Sequence, residues 1–474
     1  MSHLLCIDLG TSVCKSVIYD LEFNPKGRGY GEIRTRFPRP SWAEQEAEEW
    51  WTASRAAIIE SLRTSRIKPE DIAGVGVCGQ GHGPVLLDAE RRALLPCIVW
   101  PDLRAIKQAE SIESNLHRHA AAYYTAAKML WIRENRIEAF GKMSKFVLPK
   151  DYIRMKLTDT VLTDAGDAAG TTMYSRDEGA WDYPLVDFVG IPREKLPDVH
   201  PADKVIGEVT LRASAETGLK ATTPVITGTA DYLCTGLALG DYLKPRKAVI
   251  YLGSAPSIFT IGNDGRSKGG FMGIGGASLK WFKERLCYLD TTAATYEAID
   301  KEAEEVEPGS GGLLFLPHLM GERSPAYNPY ARGVIFGLSL SHGRRNIVRS
   351  MMEGVVFQLK MIFNSLQGTE KLDEILVVGG GAKSSVWTQV IADVFNAEVC
   401  VPRVEEVGTL GLAVLLSSGL GIYDGISEAR KKVDLNIVRR MFPRDAYIQK
   451  YDEMFELYCN LDNVLTRFYD GRVP

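Results

Sequence analysis

The chain has 474 residues, 45% hydrophobic and 24% charged, with a formal net charge of −4 and a pI near 6.1; that length exceeds what one core sustains, so two domains are expected. The slight acidic balance offers no basic surface for a nucleic-acid partner, and the eight cysteines, scattered without a Cys-x-x-Cys pair, read as reduced core residues rather than a disulfide framework or zinc site. No apolar run reaches the roughly 18 residues of a membrane span, and MSHLLCIDLG meets Asp8 too soon for a signal peptide, so the cytoplasm is the expected location and no membrane partner is expected.

Leu4–Asp8 and Ser16–Tyr19 read as a hairpin closed by Gly10-Thr11-Ser12. Glycine lets successive N–H groups point at one anion, and a neighbouring hydroxyl adds a donor. Asp8, ending a buried strand, then suits a magnesium ion, which prefers oxygen ligands; it also reads as a solvated strand end. Glu44–Leu62 has the apolar spacing of a helix. Ile72–Cys78 reads as a strand, and its Gly74-Val75-Gly76-Val77-Cys78-Gly79 matches a dinucleotide fingerprint in letters only, because the glycines lie inside the strand and no helix follows. In the loop Gly79-Gln80-Gly81-His82-Gly83, glycines around one histidine let a ligand approach the backbone, although a lone histidine is as readily structural. Val85–Asp88 and Cys97–Trp100 read as strands, the second delivering Trp100, Asp102 and Arg104. An aromatic face beside a carboxylate and a guanidinium suits a sugar, and Asp102–Arg104 also reads as an ordinary surface pair.

Tyr123–Asn135 and Phe146–Leu157 are helical in pattern, and Thr163–Thr172 reads as a small-residue loop carrying Asp164 and Asp167. The centre of the chain is Pro224–Pro256. Two apolar strands, Pro224–Thr227 and Ala248–Leu252, flank a helix at Tyr232–Leu239, with Asp231 where strand gives way to helix. Open α/β sheets expose reactive groups at such strand ends; an N-cap is the plainer reading. Leu252-Gly253-Ser254 repeats the strand-glycine-hydroxyl turn of residues 8–12, which suggests an internal duplication and two turns that could hold a polyphosphate. Neither is a P-loop. Further on, a helix is expected over Thr291–Lys301, a buried strand over Leu313–Arg323 emptying into Gly-Glu-Arg, and a long helix over Asn346–Phe363. Ile375–Val378 ends on Gly379-Gly380-Gly381-Ala382, where a flat ring or a phosphate could lie, or the chain could merely turn. Ala446–Phe468 closes the chain as an amphipathic helix.

Taken in order, DLGTS at Asp8–Ser12, GQGHG at Gly79–Gly83, WPDLR at Trp100–Arg104, LPKDY at Leu148–Tyr152, DAAGT at Asp167–Thr171, Asp231, Leu252–Ser254, GERSP at Gly321–Pro325 and Gly379–Ala382 resemble the FGGY carbohydrate kinases, most closely the xylulokinase-like branch. The resemblance implies an α/β fold of two actin-like/ribonuclease H-like domains with a central cleft, 1–244 N-terminal and 245–474 C-terminal. It implies ATP and Mg2+ as cofactors, a small sugar or polyol as partner, and frequent pairing as homodimers. Asp231 matches the general base, Asp8 the carboxylate near magnesium, and Thr11, Ser12, Gly253 and Ser254 the phosphate-facing turns. Gly380, Gly381 and Ala382 match the turn under adenine and ribose, while Gly81, His82, Trp100 and Asp102 match substrate contacts.

The chain departs from that branch at Gly81, where Met-His is usual, at Tyr232, where the branch has Asn, and at Gly253-Ser254-Ala255-Pro256, where it has Gly-Thr-Ser-Gly. The expected reaction is phosphorylation of a pentulose; erythritol, glycerol, gluconate or L-xylulose are the alternative acceptors. A reading of another class is an actin-like nucleotide-operated switch or binding protein.

Overall fold

The computed structural model describes residues 2–240, 242–262, 265–287, 295–367 and 371–469. Two compact units result: Met1–Gly240 with Glu406–Asp434, and Asp241–Glu405 with Leu435–Pro474.

The sheet of the first unit contains β1 (His3–Leu9), β2 (Val13–Asp20), β3 (Pro25–Glu32), β4 (Ile72–Gly79), β5 (Val205–Glu208) and β6 (Pro224–Ile226), in spatial order β3-β2-β1-β4-β6-β5, with the short β7 (Thr229–Ala230) also pairing β4. Neighbours β1, β4 and β6 run parallel, while β2, β3 and β5 join their neighbours antiparallel. Both faces of the parallel centre are covered, which is why β1 and β4 read as unbroken apolar runs rather than alternating ones. The helix Ala47–Ser65 packs on β2 and β3, and the helix Val407–Gly419 on β1 and β4. That second packing explains the glycines of the false fingerprint: a Cβ at Gly74 or Gly76 would run into the side chains of Leu420 or Leu412.

The second unit repeats the plan. Its strands β8 (Lys247–Tyr251), β9 (Ser257–Ile261), β10 (Ser267–Phe271), β11 (Glu374–Val378), β12 (Glu398–Pro402) and β13 (Ile437–Met441) stand in the order β10-β9-β8-β11-β12-β13. Again the central strands β8, β11 and β12 are parallel and the rest antiparallel. The core is filled by the helices Arg344–Gln367, Ser385–Phe395 and Asp445–Thr466. The two sheets share five strands in equivalent places; they differ in the antiparallel edge, which precedes its neighbour in the chain in the first unit and follows it in the second. The duplication read from two glycine turns is therefore a duplication of sheet topology.

Several local expectations differ from the structure. Phe146–Leu157 is not one helix: Lys145–Val147 pairs with Val85–Leu87 as a strand, and the helix starts at Pro149, whose fixed φ suits a first turn. Thr163–Thr172 is more ordered than a loop, with a strand Leu162–Asp164 and a short helix Ala165–Gly170 capped by Asp164 accepting from Gly166 and Asp167 N–H groups. The helix placed at Glu44–Leu62 runs instead over Ala47–Ser65 because Glu44 and Gln45 pair with Ile98 and Cys97. The start of the helix expected over Thr291–Lys301 lies outside the described residues, and Tyr296–Glu304 is helical. Within 245–474, the segment Glu406–Asp434 packs in the first unit. Gly411 makes this possible by closing the helix Val407–Gly419 onto the carbonyl of Cys234.

Candidate active site

Strand register gathers the candidates of the first unit. Across the sheet Asp8 pairs with Cys78, and Cys78 with Thr229; Leu9, Gly79 and Ala230 end the same three parallel strands in line. The segments that leave those ends are Gly10-Thr11-Ser12, Gln80-Gly81-His82 and Asp231. Candidates far apart in sequence thus leave the carboxyl ends of the parallel strands at the centre of one sheet, where α/β folds hold ligands. Burial raises the Cys78 thiol well above the ordinary thiol range, and its hydrogen bond with Cys234 and the charges of Cys234, Asp8 and Asp231 raise it further.

Asp8 is buried, and burial lifts its carboxyl above the ordinary value against the pull of Lys15, with Glu406 raising it again. Lys15 is engaged by Glu406 at 2.6 Å. One Asp8 oxygen, Oδ1, has no hydrogen-bond partner among the described residues. Gly408, opening the helix Val407–Gly419, stands where a Cβ would come within 3.2 Å of Oδ2; sequence reading missed it, since one glycine in an apolar helix carries no signal. Asp231 is the first residue of the helix Asp231–Leu239, whose N-cap is Ala230, and its Oδ1 accepts the N–H of Tyr232 at 2.7 Å. It is not the N-cap.

The loop after β4 is held in a costly shape. His82 has φ +66°, a left-handed conformation unfavourable for a side chain with a Cβ. Two contacts hold it there: Nδ1 lies 2.7 Å from the Gly170 carbonyl, and the His82 carbonyl accepts from the buried Lys128 Nζ at 3.1 Å. A carbonyl only accepts, so in the neutral ring Nδ1 carries the proton and Nε2 is the acceptor. Around this loop stand Asp167, whose Oδ1 would lie 3.6 Å from a Cβ at Gly81, and Tyr232, whose hydroxyl would lie 3.9 Å from a Cβ at Gly170. Tyr123 and Tyr124 meet the His82 ring edge-on.

Trp100 and Asp102 part company. The Trp100 indole donates to Thr11 Oγ1 at 2.8 Å, tying its loop to the first glycine turn. Asp102 is wholly buried and accepts from Ala43 N–H at 2.5 Å and from the Arg104 guanidinium at 2.7 Å. Arg104 also reaches Glu44 at 2.7 Å and stacks on Trp42 at 3.7 Å. The pair is therefore a buried anchor rather than a surface one. Sequence reading also left unconnected Lys150, Asp164 and Asp167, which form one fully buried ion cluster with Asp151 and Arg154. The signal was present in LPKDY and in two aspartates three apart among small residues.

The second unit repeats the arrangement. Tyr251 pairs with Val378, so Gly253-Ser254 and Gly379-Gly380-Gly381 leave neighbouring parallel strands on the same side. The turns are stitched together, Leu252 N–H donating to the Val378 carbonyl at 2.7 Å and Gly381 N–H to the Leu252 carbonyl at 2.9 Å. A Cβ at Gly380 would point into open space, while Gly379 takes φ +93°. Ala382 is buried in the 3-10 turn that leads into the helix Ser385–Phe395.

The sequence matches the FGGY family of carbohydrate kinases over both halves, the N-terminal domain at residues 3–238 and the C-terminal domain at 245–419. The chain belongs to the FGGY family of carbohydrate kinases. It is 29% identical to a xylulose kinase of Bacillus subtilis over 97% of each protein, and 27% identical to a gluconokinase of the same species over 99% of this chain and 97% of that one. The crystal structure of a gluconate kinase from Lactobacillus acidophilus matches with a TM-score of 0.82, 25% identity and 99% coverage of each chain. The activity class is thus phosphoryl transfer from ATP to an alcohol. Among the described residues no helix is long and apolar enough to cross a membrane.

Family membership implies a divalent ion with the nucleotide, and the residues here fit one. An orphaned, buried carboxylate oxygen on Asp8 is the type of donor a hard cation takes, and a cation would relieve the burial that raises this carboxyl. The open backbone at Gly380 equally fits a flat ring or ribose lying against it.

Proposed function

We propose that the protein phosphorylates a hydroxyl of a small sugar, with a pentulose first among acceptors, using ATP and Mg2+ in the cytoplasm. The observation that supports this reading is the register that pairs Cys78 with Asp8 on one side and Thr229 on the other, so that Asp231, next after Ala230, leaves the same sheet edge as Asp8 and the strained Gly81–His82 loop. Asp231 takes the proton from the acceptor hydroxyl as its oxygen attacks the γ-phosphorus, the bond to ADP breaking in line. His82 Nε2 and the backbone at Gly81 orient the acceptor; Trp100 holds Thr11, and Asp102 holds the loop that carries Trp100. Thr11, Ser12, Gly253 and Ser254 present donors to the phosphates, and Gly380, Gly381 and Ala382 bed the nucleoside. Asp8 would hold a magnesium ion, which would supply neutralisation of phosphate charge.

The test is ADP release by purified protein across ketopentoses, tetritols, glycerol, aldonates and deoxyhexuloses, alongside Asp231→Asn. Loss of the base is expected to lower kcat by about 10²–10⁴-fold with ATP binding retained. Near-normal turnover in that variant refutes the assignment of the base, and sugar-independent ATP hydrolysis across the panel refutes the kinase reading in favour of a nucleotide switch. Gluconate is a required member of the panel because a gluconokinase aligns with the whole chain nearly as well as the xylulose kinase does.

A further inference from the structure

A second cluster of ligand-type side chains lies within the second unit, apart from every residue assigned a role in the candidate site. His318 follows the strand Leu314–Leu316, Glu322 sits in the Gly-Glu-Arg loop, and Asp462 comes from the closing helix Asp445–Thr466. All are buried, and one donor atom from each lies within 4.8 Å of the others. His318 Nε2 is 2.9 Å from Asp462 Oδ1. Among the described residues no lysine or arginine forms an ion pair with Glu322 or Asp462.

The surroundings fix these donors in place. Gln358 donates through Nε2 to Glu322 Oε1 at 3.1 Å and to the Ser324 carbonyl at 2.8 Å, while its Oε1 accepts from the Tyr458 hydroxyl at 2.6 Å. Those contacts determine which way the amide points, and they hold Glu322 as an acceptor facing the cluster. The Glu322 loop is itself pinned, its N–H donating to the Asn328 carbonyl at 2.8 Å and its carbonyl accepting from Asn328 N–H at 3.0 Å. A ligand carboxylate held by an outer hydrogen bond is the usual construction of protein metal sites.

Charge supplies the second argument. Two carboxylates and an imidazole out of water leave a net negative charge even with the ring protonated, and an uncompensated buried charge is strongly unfavourable. A single proton offsets that charge only in part. A doubly charged cation balances two carboxylates and a neutral imidazole completely. We propose that His318, Glu322 and Asp462 form a structural site for one divalent transition-metal ion, Zn2+ first, which fastens the closing helix to the Gly-Glu-Arg loop. The nitrogen ligand argues against magnesium and calcium, which take all-oxygen sets, and the order of affinities among the remaining common ions favours zinc over manganese and iron. Ligands at about 2.0–2.1 Å from zinc stand roughly 3.3 Å apart in a tetrahedron. The His318–Asp462 contact therefore opens by a few tenths of an ångström on binding, and water completes the shell.

The experiment uses the full chain, freed of metal by dialysis against a chelator and titrated with Co2+ and then Zn2+ in saturating Mg2+. One equivalent of Co2+ with the visible absorption of a low-coordinate site, displaced by one Zn2+ and accompanied by a higher Tm, is expected. Asp8→Asn should keep this stoichiometry, His318→Gln and Asp462→Asn should lose it, and Gln358→Leu should weaken zinc affinity about 10–100-fold while leaving the ligands in place. Wild-type protein that takes up well under one equivalent, or that shows only the spectrum of hydrated cobalt, overturns the proposal without recourse to any variant. Unchanged binding in a folded His318→Gln protein overturns it as well, by locating the ion elsewhere.

Discussion

Replacing Lys150 by Met tests whether the acceptor loop rests on a buried ion cluster. Lys150 Nζ lies 2.5 Å from Asp151, 2.9 Å from Asp164 and 3.5 Å from Asp167, and Arg154 adds a contact of 2.8 Å to Asp151. Every one of these side chains is at most 1% exposed. Burial opposes the charge on Lys150, yet the three aspartates together hold its ammonium above the ordinary range. Burial raises Asp167 well above the carboxylate range, Lys150 opposing and Asp164 and Asp151 adding to it. Three carboxylates against two cations leave the cluster already one charge in deficit, so removing a cation deepens the imbalance. Removing one member of a buried pair costs about 3–5 kcal/mol. For a unit of this size a kcal/mol moves the midpoint by about 2 °C, so Tm should fall by about 6–10 °C. The assay is calorimetry of the unfolding transition at pH 7, with the Lys150→Met/Asp167→Asn double variant alongside. The double variant should regain part of the loss, because neutralising Asp167 removes one of the charges left unpaired. The sign with pH follows from the same account. Acids whose folded-state pKa is raised destabilise above their unfolded value, so the gap between wild type and Lys150→Met should narrow as pH falls towards about 4. A Tm loss under about 2 °C, or no rescue in the double variant, refutes the reasoning.

Gly81→Met tests the open space at the acceptor loop. A Cβ there meets nothing closer than Asp167 Oδ1 at 3.6 Å, so Tm should hold within about 2 °C, while the added side chain changes the order of preferred acceptors and leaves the KM for ATP unaltered. An unchanged preference across the sugar panel counts against Gly81 as a specificity position. Gly411→Ala tests the packing of the two helices in the first unit. Its Cβ would lie 1.7 Å from the Cys234 carbonyl oxygen, too close to be absorbed by a rotamer change. Separation of the helices should cost about 1–3 kcal/mol or more and lower kcat, since one of them begins at Asp231; a variant with wild-type Tm and turnover counts against that coupling.

The sequence alone determined the class of the fold and the position of most candidates along it. Apolar runs without alternation mark strands buried on both faces, as at β1 and β4, and a glycine-hydroxyl turn after such a run is a local backbone property that survives any context. Asp8, Asp231 and the two glycine turns are legible for that reason, and so is the duplication. Local pattern failed where a partner strand or a cap decided the outcome. Phe146-Val147 looks helical by spacing but pairs with Val85–Leu87, and the small residues of Thr163–Thr172 become ordered because Asp164 caps them and Lys150 anchors both aspartates.

Only tertiary structure could decide which distant residues share an edge. Register, set by side-chain alternation and hydrogen-bond pairing, places Asp8 and Thr229 on either side of Cys78. The same is true of Asp102, whose carboxylate looks available for a sugar until its oxygens are found accepting from Ala43 and Arg104. It is true also of the return of Glu406–Asp434 to the first unit, which brings Gly408 to Asp8 across nearly 400 residues of chain. Sequence spacing records what a residue can do; burial and the partners brought to it in space determine which of those capacities remains for a substrate.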